Sequence, residues 1–402
     1  MAVLSILSTL PTEMLIQIFS SLDRVELLKI CLVSRRLHSI ASPFLYSQVT
    51  VSASTIQQFI RTILAREELA KYVKSLRSTW PLEGSHQWNA VQVSLLLHLL
   101  PNLHVIDCTP PVMQPGEFPE LLNIFCEGQT FDTLPVGLQS LQEIRNGPNE
   151  LEDPYEHNCV SYPLLFAMLK LPSIRKIHVN IPALAPPPDF STLCTSHNRS
   201  SSLTDLEMVA RDQSSSTLLS ILQVPKALTR LSYSHSVYEL PTVDFSAVGI
   251  AINQHRASLQ ELVFDFWHMQ DDDHVQVCQS IGSLRNWPLL TKVKSPLLLL
   301  LGMPNTAETQ QLGDVLPVVI RELTIDWDLV WEQADMADAI VYLVERKEMY
   351  GLVRLEVINA TRWLLRHPYH RSKVIKACTA AGIRFQTVDY DWLSGNTFTI
   401  PD

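Results

Sequence analysis

Asp271, Asp272 and Asp273 run directly into His274, with His268 just upstream, and these side-chain types suit a hard divalent cation. Adjacent carboxylates point in different directions along a strand or helix, so such a run reads first as a solvated loop. His367 and His370 are spaced to share a helix face, but Pro368 lies between them and no third ligand is evident. The seven cysteines, Cys31, Cys108, Cys126, Cys159, Cys194, Cys278 and Cys378, are scattered and form no CxxC pair. That usage reads as reduced, buried thiols. No phosphate loop, GxGxxG or nucleophile elbow is present, and 12 glycines leave little backbone for cradling phosphate. The residues therefore predict no cofactor, no metal and no catalysis by this chain itself. Binding is the chemistry that remains, and it is carried by the elements around these residues.

The most informative element is Leu10–Tyr46, LPTEMLIQIFSSLDRVELLKICLVSRRLHSIASPFLY. Pro11 suits a first helical position, and Glu13 suits the positive end of the helix dipole. Leu15, Ile18, Phe19 and Leu22 recur at i, i+3, i+4 and i+7 as one apolar stripe. Asp23 and Glu26 have capping-box spacing at the start of a second helix, which carries Leu27, Leu28 and Cys31. Val33, Leu37 and Ile40 form a third stripe, and Pro43 is expected to end that helix. Three helices in under 40 residues hold little apolar mass for an independent core, so surplus leucine here implies a partner.

The order L-P-x-E-x-L-x-x-I-F-x-x-L-D, then L-L, then C-L-V-S-R-R-L, then P-x-L-Y resembles the F-box family. The resemblance covers about a tenth of the chain. It implies that Leu10, Pro11, Leu15, Ile18, Phe19, Leu22, Leu27, Leu28, Val33 and Leu37 contact a Skp-family adaptor, which links such proteins to a cullin ubiquitin ligase. The rest of the chain would then recruit the protein to be ubiquitinated.

After Tyr46 a short pattern, apolar-x-x-apolar-x and often a further apolar residue, recurs eleven times. Its copies start at Val73, Leu103, Leu141, Ile174, Leu203, Leu228, Leu259, Leu290, Ile320, Leu352 and Ile383. Successive starts are 30, 38, 33, 29, 25, 31, 31, 30, 32 and 31 residues apart. One β-like element and one apolar helix per unit at this period is the signature of a solenoid. The pattern resembles irregular leucine-rich repeats, as found in many fungal F-box proteins, although the Asn or Cys that closes each turn is mostly missing. The expected fold is α/β: a three-helix F-box over residues 1–50, then an irregular leucine-rich-repeat-like solenoid over 51–402 with parallel strands on its concave side. Ser200-Ser201-Ser202 reads as a surface loop.

Side chains alternate faces along a strand. With the first, fourth and sixth repeat positions in the core, the third, fifth and seventh face outward. Lys176, His178, Asp205, Glu207, Arg230, Glu261, Asp265, Glu322 and Asp326 are the candidate substrate contacts on that face. Asp107, Glu143, Arg145, Asn180, Lys292, Lys294, Arg354 and Glu356 share it, a mixture of charges suited to a protein ligand. Trp80, Trp267, Trp327 and Trp392 fall just past strands, as inter-repeat packing or as an edge ledge.

Net charge is −10 without a basic block, which argues against nucleic acid. Met1–Leu10 is apolar without a basic leader, so no signal peptide is expected, and Leu297–Leu301 is far too short to span a membrane. The expected location is cytoplasmic, nuclear or both. The leading expectation is the substrate-recognition subunit of a Skp–cullin–F-box ubiquitin ligase. A Skp-bound scaffold acting without ubiquitination, and an enzyme with an unrecognised site, stay open on the residues alone.

Overall fold

The computed structural model describes residues 9–52, 54–79, 90–108, 136–145, 160–181, 186–211, 215–236, 245–267, 280–302, 311–326, 333–346, 351–358, 368–391 and 396–400. They fall into two compact units, Met1–Asn180 and Ile181–Asp402.

The first unit opens with α1 (Thr12–Ser20), α2 (Arg24–Cys31) and α3 (Arg35–Ser47). The predicted capping box at α2 is present: the Glu26 N–H donates to Asp23 Oδ1 at 2.8 Å, and the Asp23 N–H donates to Glu26 Oε2 at 3.1 Å. Ser34 caps α3 by accepting from the Leu37 N–H at 3.2 Å. Pro43 does not end α3 but lies inside it. Leu37, Ala41 and Leu45 are buried at i, i+4 and i+8 on both sides of the proline. Their packing holds the helix together across the one backbone bond that proline cannot make.

Strand β1 (Gln48–Ser52) follows α3 directly. Then come α4 (Ile56–Ala65), α5 (Glu67–Ala70), β2 (Ser75–Thr79), α6 (Ala90–Leu99), β3 (Val105–Cys108), α7 (Val136–Gln139), β4 (Glu143–Arg145), α8 (Tyr162–Leu169) and β5 (Lys176–Ile181). β1 to β5 lie in sequence order and pair in parallel from β1 to β5. β1 is a further repeat strand not counted among the eleven copies. Its Val49 and Val51 point inward as the fourth and sixth positions do elsewhere.

The second unit holds α9 (Phe190–Ser196), β6 (Asp205–Arg211), α10 (Ser215–Gln223), β7 (Arg230–Ser236), α11 (Phe245–Asn253), β8 (Glu261–Trp267) and β9 (Lys292–Pro296). It continues with α12 (Leu297–Leu301), α13 (Leu312–Val315), β10 (Glu322–Asp326), α14 (Gln333–Glu345), β11 (Arg354–Ile358), α15 (Pro368–Ala381), β12 (Arg384–Asp391) and β13 (Asn396–Ile400). β6 to β12 are parallel neighbours in sequence order. β13 departs from the all-parallel expectation and runs antiparallel to β12.

Every one of the eleven sequence copies is a strand, β2 to β12. The first and fourth positions are buried in copy after copy, as at Leu203 and Leu206, Leu228 and Leu231, and Leu259 and Leu262. Each such side chain is worth about 1.5–3 kcal/mol relative to exposure, so their sum holds the repeats together. The last copy runs one residue earlier than its pattern, with Phe385, its third position, paired to Leu355, a fourth position. Ser201 is buried rather than on a surface loop. Its N–H donates to the Val224 carbonyl, and its own carbonyl accepts from the Lys226 N–H, joining two successive turns. No helix among the described residues is long and apolar enough to cross a membrane.

Candidate docking surfaces

The three N-terminal helices close on one small core. Leu15 and Phe19 of α1, Leu27 of α2 and Leu37, Ala41 and Leu45 of α3 are buried against one another. The Arg36 guanidinium donates to the Leu10 carbonyl at 2.7 Å and ties the entrance of α1 to α3. Four of the ten expected adaptor contacts, Leu15, Phe19, Leu27 and Leu37, are therefore interior and cannot meet a partner while this core is intact. A three-helix unit has so few apolar residues that its deepest stripe is consumed by its own folding.

Leu10, Ile18 and Leu22 are half-buried at the margin of that core, and Pro11, Leu28 and Val33 are exposed. Beside them stand Met14, Ile16, Val25 and Leu32, all exposed and none among the expected contacts. Leu32 is 88% exposed and Val25 59%. Val25, Leu28 and Leu32 recur at i, i+3 and i+7, so α2 and its end carry a second apolar stripe beside Leu27, Ile30 and Cys31. A helix with two stripes was the signal available in the sequence.

The outward face of the strands is built differently. In the second unit Asp205, Arg230, Glu261, Lys292, Glu322, Arg354 and Arg384 are in direct register from β6 to β12. Charge alternates along the first six of these seven positions. Arg230 meets three carboxylates: Asp205 at 3.2 Å, Glu207 at 3.1 Å and Glu261 at 3.5 Å. Partial burial lowers its guanidinium pKa, but the three carboxylates together outweigh that and raise it. Lys294 pairs with Asp265 at 2.8 Å, Lys292 with Glu322 at 3.4 Å, and Arg354 with Glu356 at 3.0 Å.

The first unit repeats the device. Arg77 of β2 meets Asp107 of β3 across the sheet at 3.5 Å, whereas Arg145 meets Glu143 within β4 at 2.6 Å, a hydrogen bond that raises the Arg145 pKa. Cross-strand pairs of opposite charge stabilise a register by about 0.2–1 kcal/mol each.

Of the nine expected substrate contacts, Lys176 is exposed, and His178, Asp205, Glu207, Arg230, Glu261, Asp265 and Glu322 are half-buried on this face. Asp326 is not available there: it is buried at 8% exposure, between Pro296 and Ile358 in register. Asn180, near the end of β5, is likewise buried. Trp80, Trp327, Trp392, Asp271 to His274, His268 and His367 lie outside the described residues, as do Cys126, Cys159 and Cys278. Cys31, Cys194 and Cys378 are free thiols, and burial pushes all three pKa values up, Cys194 to about 12 and Cys378 to about 11.

Residues 7–77 match the family model described as the COS11 F-box domain. The chain thus has F-box helices followed by solenoid-like units of parallel strands. Among solved structures it is similar to a chain of the crystal structure of the Rad7 and Elc1 complex in yeast. The identity is 12%, covering 86% of this chain and 88% of that one, with a TM-score of 0.37. No curated protein matches this sequence.

Proposed function

We propose that this F-box protein is the substrate-recognition subunit of a Skp–cullin–F-box ubiquitin ligase. It binds a Skp-family adaptor through its N-terminal helices and a protein substrate through its repeats, and it performs no chemistry of its own. A cytoplasmic or nuclear place of action goes with this reading. The observation that carries it is the exposed apolar set of Met14, Ile16, Val25, Leu28, Leu32 and Val33 on a unit whose core is already closed. Exposed apolar side chains gathered on so small a unit mark a surface that a partner covers. Leu10, Pro11, Ile18 and Leu22 border that set. Substrate contacts are assigned to Lys176, His178, Asp205, Glu207, Arg230, Glu261, Asp265 and Glu322.

Co-purification of the full chain with a Skp-family adaptor tests the docking face. Val25→Asp, Leu28→Asp and Leu32→Asp together should abolish capture and leave the melting temperature nearly unchanged, because all three are outside the core. Capture that survives the triple substitution sinks the assignment. Cullin-dependent turnover of a bound protein then separates a ligase receptor from a scaffold.

A further inference from the structure

The ends at which the strands of the second unit begin differ from the rest of this acidic chain. The connections entering β6, β7, β8 and β10 are residues 197–204, 224–229, 254–260 and 316–321, and neither they nor 281–291, the last part of the longer connection entering β9, contain aspartate or glutamate. Together these segments contribute Arg199, Lys226, Arg256, Arg285 and Arg321, and Arg346 stands at the end of α14 before β11.

A cation beside a helix C-terminus is favoured by the helix dipole, and part of this pattern is explained that way. Arg199 donates to the Gln254 carbonyl at 3.0 Å, and Arg256 donates to that of Asn286 at 2.8 Å. Arg285 and Arg346 share Asp314. Lys226 and Arg321 are exposed and make no side-chain hydrogen bond or ion pair with the described residues.

The same edge exposes aliphatic side chains. Leu289, Val318, Val319 and Val353 sit in the connections entering β9, β10 and β11, which are consecutive strands. Val353 is 61% exposed, and its N–H donates to the Arg321 carbonyl at 2.8 Å, so an exposed valine and an exposed arginine are immediate neighbours. Outside the F-box helices, four of the eleven exposed large apolar side chains among the described residues belong to these three connections. Interleaved arginine and aliphatic surface is the composition of an interface core and its rim.

We propose that this strand-entry edge, from β8 to β11, docks an acidic protein segment that also carries apolar side chains. Complementary charge selects the sign of the ligand, and the valines and Leu289 require apolar groups on it. The strip is narrow, because Glu261 and Glu322 open β8 and β10 and Glu356 stands in β11, all within a few residues of it, although Lys292 and Arg354 open β9 and β11. An extended segment fits between those carboxylates, whereas a broad anionic membrane meets them and is repelled. The proposal goes beyond ligase membership, and its test does not depend on it.

Fluorescence anisotropy with the full chain and a labelled peptide alternating Glu and Leu provides the test. That peptide should bind, its Lys-for-Glu counterpart should not, and a Glu–Ser peptide of equal charge should bind about tenfold more weakly. Arg256→Glu with Arg321→Glu should weaken the Glu–Leu peptide about tenfold or more, and Val318→Ser with Val353→Ser should weaken it several-fold. Arg61→Glu, on exposed α4, should change nothing. Melting curves identify any variant that has lost its fold, and the three-peptide comparison on the unmodified chain decides independently of the variants. Equal binding of the Glu–Leu and Glu–Ser peptides, indifference to the arginine reversals, or binding of phosphatidylserine vesicles in place of the peptide would overturn the proposal.

Discussion

The F-box helices and the outward strand face handle their surplus in opposite ways. The helices bury one apolar stripe and leave a second uncovered, so Leu32 and Val25 stand in solvent while Phe19 and Leu37 are sealed. The strand face carries many charges but pairs most of them across neighbouring strands, so that Arg230 alone answers three carboxylates. Exposed apolar surface has no partner within its own unit and gains free energy only by being covered. Cross-strand charges gain much of what they can from each other, and a ligand there must offer better terms than the existing pairs. The F-box is thus primed for docking, while the strand face is primed chiefly for register.

The sharpest way to break that comparison lies inside the F-box. Phe19→Ala should cost about 3–5 kcal/mol, because it opens a cavity in a core with few other members. Leu32→Ala, at an exposed site, should stay within about 0.5 kcal/mol while weakening adaptor capture. Chemical denaturation of both variants measures the contrast, and equal losses would mean that Leu32 is not spare surface.

On the strand face, Arg230→Met should destabilise by about 1 kcal/mol, a modest figure because the side chain is about one-third exposed and solvent screens it. Salt sharpens the reading. The loss should shrink in concentrated sodium chloride, which screens the repulsion left among Asp205, Glu207 and Glu261. A loss insensitive to salt would point to packing rather than charge.

The smallest effect separates the units by pH. His255 is buried between repeats: its Nδ1 accepts from the Leu228 N–H at 3.2 Å, and its Nε2–H donates to the Leu222 carbonyl at 2.9 Å. Desolvation holds its pKa below the usual histidine value, and the nearby Arg199 charge adds to that, against the bond to Leu222. The unfolded chain therefore takes up a proton that the folded unit resists. This contribution to stability is present above the unfolded pKa of about 6.5 and is lost as pH falls through the lower folded value. The slope for one proton is at most about 1.4 kcal/mol per pH unit. Hydrogen exchange between about pH 7.5 and about pH 5.5 should loosen α10 to β8 before α1 to α3, whose core cluster is entirely apolar. His255→Gln should flatten that response, and identical responses in the two units would refute the contrast.

Much of this molecule is local, and local features were legible. The capping box at Asp23 and Glu26 depends on one spacing of three residues, and it is present in the structure. The strands β2 to β12 announce themselves through inward residues at the fourth and sixth positions, because a strand buries every second side chain wherever it lies. The strand at Val49 and Val51 carries no separate signal in the sequence, because it follows α3 directly and has Tyr46 where the other copies have an aliphatic first position. Pro43 predicts a helix end because a proline's local cost is visible in sequence, whereas the packing that outweighs it at Leu37 and Leu45 is not.

By itself the sequence determined the order of helices and strands, the faces on which leucines gather and the F-box pattern, since each rests on contacts between residues a few positions apart. Tertiary structure alone decided which apolar stripe of the small helices is sealed and which is left for a partner. It alone decided that Asp205, Arg230, Glu261, Lys292, Glu322 and Arg354 fall into one alternating row, that Asp326 is buried, and that arginines from separate connections line one edge. These depend on register and packing between segments about 30 residues apart, and no spacing along the chain specifies which side chains those distances bring together.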